Sequence, residues 1–357
     1  MSDTIDLDFL DESFAEMLSS EWPRERSVAH AQSGNLIAAD LWSQMAGLGW
    51  TALNVPEEFG GLGLGIEATS RLHAALGAVS APVPMLGTTM AAALIAHAGS
   101  DRQRKAWLPA LADGSMRFGF AQPSGAQLTI ENSSVSGIAA DILDAPSATH
   151  FVLNGRREGK RSWIVLAADS PGLSVEVHPL NDTSRTLGSV NFSQVTLAED
   201  AIISAPDCQR VVDLLEHWSC IALASDSLGI GEAVLNLTIE YLNVREQFGK
   251  VIGSFQALKH RVADHKTALV GAREFLAHVA SLDPGDPAGL IEALSSKAHI
   301  TRVAAEVARD CIQLHGGVGF TAEFQPHVFL KRAKLNEALY LTRNEALDRV
   351  ADLLEAA

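Results

Sequence analysis

The stretch IGEAVLNLTIEYLNVREQFGKVIGSFQALKHRVADHKTALVGAREFL, residues 230–276, decides the fold. In its first part Ile230, Val234, Leu237 and Tyr241 recur three or four residues apart, which gathers apolar side chains on one helix face. Arg245-Glu246-Gln247-Phe248-Gly249 interrupts the pattern. A helix C-terminus stopped by glycine is the plain reading of that corner, and an arginine held there also offers a bidentate fork for phosphate. From Phe255-Gln256 the pattern resumes with Leu258, Val262, His265, Leu269, Ala272 and Leu276. Two further seams follow: Ile300, Ala304, Val307, Cys311 and Leu314, then Leu335, Leu339, Thr342, Ala346, Val350 and Leu353. Four long helices with such seams predict an antiparallel four-helix bundle over residues 205–357.

Working back from that bundle, the period changes to two over residues 117–204. Leu173, Val175 and Val177 alternate with polar residues, Val190, Phe192 and Val195 mark a later strand, and Pro171-Gly172, Asn181-Asp182 and Gly188 punctuate them. Short strands with close turns predict a small antiparallel barrel or sandwich as the middle domain. Residues 1–116 are helical again, with Ala38, Leu41, Met45 and Leu48 on one seam and Ala92, Leu94, Ile95 and Ala98 on another. The class is therefore α+β: an N-terminal α-helical domain, a β-barrel domain and a C-terminal four-helix bundle.

Composition narrows the function. Apolar residues make up 47% and charged residues 20%, enough for a sizeable core. The net charge of −16 argues against nucleic acid or an anionic membrane as a partner, and any polyanion site must be locally basic. Three cysteines, Cys208, Cys220 and Cys311, fit no zinc or redox spacing, and no metal site is expected. The acidic start MSDTIDLDFLDESF is no signal peptide, and the apolar run Pro84–Ala98 is too short to span a bilayer, so a cytoplasmic protein is expected.

Two glycine-rich segments remain. Val55-Pro56-Glu57-Glu58-Phe59-Gly60-Gly61-Leu62-Gly63 follows no strand and carries no phosphate-loop lysine, so it reads as a sharp turn. Gln313-Leu314-His315-Gly316-Gly317-Val318-Gly319-Phe320 places more glycine after a helix than a cap needs, letting backbone approach a ligand, with Gln313 as an amide partner. His315 has no second ligand at metal spacing and reads as structural.

Together, in this order over nearly the whole chain, these segments resemble the acyl-CoA dehydrogenase family. The resemblance implies a dimer or dimer of dimers with FAD shared across a subunit interface, removing the α and β hydrogens of an acyl-CoA thioester. A carboxylate takes the α-proton and the flavin takes the β-hydride, with an electron-transfer flavoprotein as electron acceptor. Carried over by position, Arg245, Gln247, Phe255, Gln256, Gln313, Gly316 and Gly317 would bind the cofactor of a neighbouring subunit.

The sequence departs from the family pattern where the base should stand. Tyr340-Leu341-Thr342 occupies the usual Glu-Gly-Thr, with Ala333 and Lys334 supporting the register, and Ser219-Cys220 occupies the alternative position on an earlier helix. Tyrosine, with a reference pKa of about 10, is a poor α-proton base. Glu216 and Glu337 lie about one helical turn from these positions and Asp226 about two, and solvated helix faces are their expected setting. The strands that would line the chain's own flavin depart as well, with Ala121-Gln122-Pro123-Ser124-Gly125-Ala126 and Gly137–Leu143 lacking the family's residues. Contacts to a neighbour's FAD are thus kept while those to the chain's own flavin are lost. The resemblance is therefore to the non-catalytic subunit of bacterial α2β2 acyl-CoA dehydrogenases of the steroid side-chain type, whose partner is a homologous catalytic subunit. Two alternatives stand beside it: a homo-oligomeric dehydrogenase with Glu337, Glu216 or Asp226 as relocated base, and a binding scaffold without enzymatic activity.

Overall fold

Helices α1 (Leu7–Glu21), α2 (Arg24–Ser33), α3 (Ala39–Gly47), α4 (Gly65–Ala78), α5 (Met85–Ala98) and α6 (Asp101–Ala112) lead the chain in a computed structural model that describes residues 7–122, 128–131, 133–205, 207–321 and 324–356. Helix α5 is buried from Met85 to Ile95, which is why its sequence is apolar on every side. Helix α6 opens on a capping box, Ser100 with Gln103. The predicted sharp turn is present: Gly60 has φ +84°, and a Cβ on Gly61 would sit 1.9 Å from the Val55 carbonyl oxygen.

Strands β1 (Phe118–Phe120), β2 (Leu128–Glu131), β3 (Ser134–Leu143), β4 (His150–Arg157), β5 (Lys160–Ala167), β6 (Leu173–His178), β7 (Leu187–Thr196) and β8 (Ile202–Ile203) form one sheet in the order β6-β7-β3-β1-β4-β5-β8, with β2 bridging β3 and β4. The expected middle β domain is present, and only its wholly antiparallel pairing is corrected. The sheet is mixed, because β1 and β2 each run parallel to β4, and among the described residues β6 and β8 end it unpaired with each other. Its core holds Ile130, Val135, Ile142, Phe151, Leu153, Ile164 and Val190. Phe192 and Val195 both face inward despite their odd spacing, since a register shift opposite Val135 and Gly137 and the left-handed Gln194 (φ +52°) form a bulge.

The remaining helices are α7 (Cys208–Val244), α8 (Gln256–Ala280), α9 (Pro287–His315), α10 (Pro326–Ala338) and α11 (Arg343–Ala356), with a short hairpin of β9 (Glu246–Gln247) and β10 (Lys250–Val251) after α7. The expected fourth long helix is therefore two. Tyr340 turns left-handed (φ +61°), and Thr342 with Glu345 starts α11 as a second capping box: Thr342 N–H donates to Glu345 Oε2 at 2.7 Å and Glu345 N–H to Thr342 Oγ1 at 3.4 Å. Helix α7 is long and apolar enough to cross a membrane, but 83% of that window is buried inside the fold.

The chain divides into two compact units. The first gathers the described parts of Met1–Gly34, Ser70–Ala81 and Cys220–Ala357, and the second Asn35–Thr69 and Pro82–Ser219. In the first unit the seam of α8 is buried only in its second half, at Leu269, Ala272 and Leu276. Leu258, Val262 and His265 stay half-buried.

Candidate functional site

The site candidates on the first unit lie at the end where α7 stops, α8 starts and α9 stops. Arg245 N–H closes the last turn of α7 onto Tyr241 O at 3.0 Å, and Ile252 N–H returns to Arg245 O at 2.8 Å. Between them β9 and β10 pair through a tight turn in which Phe248 (φ +54°) and Gly249 (φ +76°) are both left-handed, the geometry of a two-residue hairpin. Gly249 thus serves the hairpin turn and not the helix stop expected from the sequence. Arg245 and Gln247 are exposed, and no described residue pairs with the Arg245 guanidinium. Phe248 is 92% exposed at the hairpin tip, 6.2 Å from Phe255, whose ring also lies beneath Lys250 Nζ at 4.3 Å. Gln256 opens α8, exposed, with Nε2 3.3 Å from His260 Nε2.

Helix α9 reaches the same end. The His315 ring packs 4.6 Å from Tyr241 and 4.9 Å from Phe324, and its Nδ1 donates to Cys311 O at 2.8 Å, a structural role as expected. Asp310 accepts from Arg261 Nε at 3.1 Å and pairs with His265 Nε2 at 2.6 Å, tying α9 to α8. Burial raises the Asp310 pKa, but the hydrogen bonds and charges of Arg261 and His265 outweigh it and hold the carboxyl below its usual range. Gln313 is exposed one turn on. Gly316 adopts φ +62°, ψ −140°, which only glycine takes readily, and a Cβ at Gly316 or Gly317 would meet nothing within 4 Å. Packing inside the chain therefore does not require these glycines to be bare; an outside ligand approaching the backbone would. Val318 and Phe320 beside them are 43% and 74% exposed. Residues 245–266 carry five Lys and Arg against two carboxylates, a basic patch in a chain of net charge −16.

The positions expected of a base are closed. Tyr340 is buried, and Lys297, 1% exposed, donates from Nζ to Glu337 O at 3.4 Å and to Leu341 O, pinning the turn that carries it. Burial lowers the Lys297 pKa. Ser219 is buried and donates to Glu216 O at 2.9 Å, and Cys220 is buried beside it in sequence. The solvated setting expected for the substitute carboxylates is corrected for two of the three. Glu216 is buried, and Asp226 is fully buried, accepting from Arg332 Nη2 at 2.5 Å, Arg332 Nε at 3.0 Å and Asn336 Nδ2 at 2.7 Å. A carboxylate committed to a guanidinium and an amide is a structural anion, not a base. Glu337 is partly exposed and ion-paired with Lys334.

Three residues escaped the sequence reading. Arg332 and Asn336, four apart on α10, face Asp226, and the signal was an aspartate inside the apolar run of α7. Lys297 sits between Leu294 and Ile300 on an apolar seam, where a lysine needs a buried partner. On the β-sheet side, Ile138 is 55% exposed while Ala139 and Ile142 point inward. Residues 123–126, where the family's flavin-lining run would fall, lie outside the described residues.

Comparison with known proteins adds the decisive observation. An acyl-CoA dehydrogenase N-terminal domain matches residues 6–115 and an acyl-CoA dehydrogenase C-terminal domain residues 216–349. The acyl-CoA dehydrogenase IpdE2 of Mycobacterium tuberculosis is 32% identical over 304 residues, 85% of this chain and 82% of that protein. The chain belongs to the acyl-CoA dehydrogenase family. Members of this flavoprotein family share its fold. The Mycobacterium tuberculosis ChsE4–ChsE5 complex supplies a chain with TM-score 0.89 at 23% identity, covering 100% of this chain and 99% of its own. A Tcur3481–Tcur3483 steroid acyl-CoA dehydrogenase variant gives 0.85 at 27%, covering 98% of each. A glutaryl-CoA dehydrogenase from Mycobacterium smegmatis in complex with FADH2 gives 0.87 at 17%, covering 99% and 95%.

Proposed function

We propose that this chain is the non-catalytic subunit of a heteromeric acyl-CoA dehydrogenase and completes an FAD site whose base belongs to a homologous partner. One observation carries the reading. Six of the seven residues at the family's cofactor positions are exposed, with Phe255 half-buried beside them, whereas both base positions hold buried residues without a carboxylate, Tyr340 and Ser219.

The donor set fits FAD. Arg245 supplies a fork for a pyrophosphate, Gln247, Gln256 and Gln313 supply amides, Phe255 an aromatic edge, and Gly316 and Gly317 bare backbone. FAD, when bound, supplies the acceptor for a hydride from the acyl β-carbon. The chain's own residues neutralise the phosphates, orient the adenosine end and exclude water through Phe248, Phe320 and the half-covered seam of α8. The two heteromeric structural relatives support an α2β2 assembly with one working site per pair. An acyl-CoA thioester, bulky and steroid-like, is the proposed substrate of the complex, an electron-transfer flavoprotein its acceptor, and the cytoplasm its location.

The test is the visible spectrum of the chain purified alone and after co-expression with a homologous dehydrogenase subunit. A colourless protein that becomes yellow and active only with its partner is the expected result. A yellow, active protein alone overturns the proposal and turns attention to Glu337, the one partly exposed carboxylate among the three candidates.

A further inference from the structure

Away from the cofactor edge, the first unit carries a groove of about 500 Å³ where α1 ends, α4 ends, α7 passes and α10 begins. Its volume falls within the range of roughly 300–1,000 Å³ typical of small-molecule sites. Val79, Leu237 and Phe329 give it apolar lining, and Arg24 and Glu240 at its edge satisfy each other at 3.0 Å. Two of its lining residues are polar, almost fully buried and without a hydrogen-bond partner: the Trp22 indole Nε1 (2% exposed) and the Gln325 amide Oε1 (5% exposed). Two more unpartnered buried atoms adjoin them. His30 Nε2 belongs to a ring packed edge-on at 5.6 Å from Trp22, and Ser80 Oγ follows Val79 in sequence.

More than nine in ten buried polar groups in folded proteins find a partner, so two unpartnered ones lining a single groove, with His30 and Ser80 next to lining residues, need a cause. Their chemistry limits what that cause is. The indole donates, the amide oxygen accepts, the serine hydroxyl does both, and burial followed by the charge of Arg26 lowers the His30 pKa. Arg24 and Glu240 already neutralise each other, and Glu25 at the exposed rim and Arg26 over the Trp22 ring leave the buried lining itself uncharged. A hydroxyl group both donates and accepts, so it is matched by either the indole or the amide, while Phe329, Leu237 and Val79 match an apolar body.

We propose that this groove binds an uncharged alcohol with a compact apolar body, at a site separate from the cofactor edge. The test uses the intact chain labelled with 5-fluorotryptophan, whose six tryptophans give separate fluorine resonances, with Trp22→Phe assigning the one at the groove. Benzyl alcohol and toluene present the same ring with and without a hydroxyl. Benzyl alcohol is expected to shift the Trp22 resonance saturably and to bind about fivefold or more tighter than toluene, the scale of one hydrogen bond to a buried group. Gln325→Leu should reduce that preference by removing one of its two polar partners. Ala233→Leu, a change at a half-exposed lining position of α7, should block both compounds while leaving the fold intact. Equal binding of the two compounds, no saturable shift, or an unchanged shift in Ala233→Leu each overturns the proposal, and the last stays decisive if Gln325→Leu does not fold.

Discussion

Two regions of the helical unit treat their polar groups in opposite ways. At the α10–α11 turn the charged groups are met from within: Lys297 on the carbonyls of Glu337 and Leu341, Thr342 with Glu345, and Asp226 with Arg332 and Asn336. At the end formed by α7, β9–β10, α8 and α9, the Arg245 guanidinium has no described partner, Phe248 is 92% exposed, and two glycines leave open backbone. A region closed on itself spends its charges on its own chain, and one left open keeps them available to solvent or a ligand. The first is where the family's base is expected, and the second is where its cofactor is expected. The difference teaches that polar groups closed within the chain and polar groups left open to solvent occupy separate ends of one unit.

The comparison breaks first at its closed end. Replacing Arg332 by Met leaves the Asp226 carboxylate buried and unpaired, and is expected to cost about 3–5 kcal/mol in chemical denaturation. Arg245→Ala should change the stability of the isolated chain by less than about 0.5 kcal/mol, as exposed substitutions do. Equal effects would show that the two regions do not differ as described.

At the open end the order reverses. In the co-purified complex, Arg245→Ala should weaken FAD retention by roughly ten- to a hundredfold, the scale of charge-assisted hydrogen bonds worth about 1.5–3 kcal/mol. Equilibrium dialysis of released flavin reads this, and unchanged retention removes Arg245 from the cofactor. Phe248→Ser should leave the melting temperature of the chain alone untouched. In sedimentation it should loosen the complex by about fivefold or more, as truncating a buried interface aromatic does.

Two smaller effects sharpen the picture of the closed turn. Thr342→Ala removes the cap of α11 and should cost about 1 kcal/mol, measured by thermal or urea unfolding. Lys297 gives a pH dependence of definite sign. Burial lowers its pKa in the folded chain relative to the unfolded one. Below the folded pKa both states carry the proton and the cost of the buried ammonium is fully present. As pH rises from the folded value towards the unfolded one, the unfolded chain holds more protons and stability increases. The stability of wild type relative to Lys297→Met should therefore rise with alkaline pH, and a flat or falling difference would remove burial as the cause.

Helix periodicity was legible because an apolar seam is a local property of the sequence. Leu269, Ala272 and Leu276 on α8 and the α9 seam through Ile300, Ala304 and Val307 are buried as their spacing requires. The glycine-rich segments were legible for the same reason, since φ and the absence of a Cβ belong to single residues. The turn at Tyr340 was hidden, because Leu335, Leu339 and Thr342 keep a helical period across the break. The cue that competed with it, Thr342 three residues before Glu345, is weaker than a seam until the cap forms. The sheet's parallel pairings were hidden too, because strand direction depends on where the chain enters the sheet.

By itself, then, the sequence determined the helices, the corner at Arg245, the glycines after His315 and the absence of a carboxylate at either base position. Only the tertiary structure decided that Asp226 is a buried anion held by Arg332, that Lys297 closes the turn at Tyr340, and that the first half of the α8 seam stays half-buried. The physical reason is range. Periodicity and backbone conformation act within a few residues, whereas a buried charge is decided by whichever side chain the fold brings to it, here from 106 residues away.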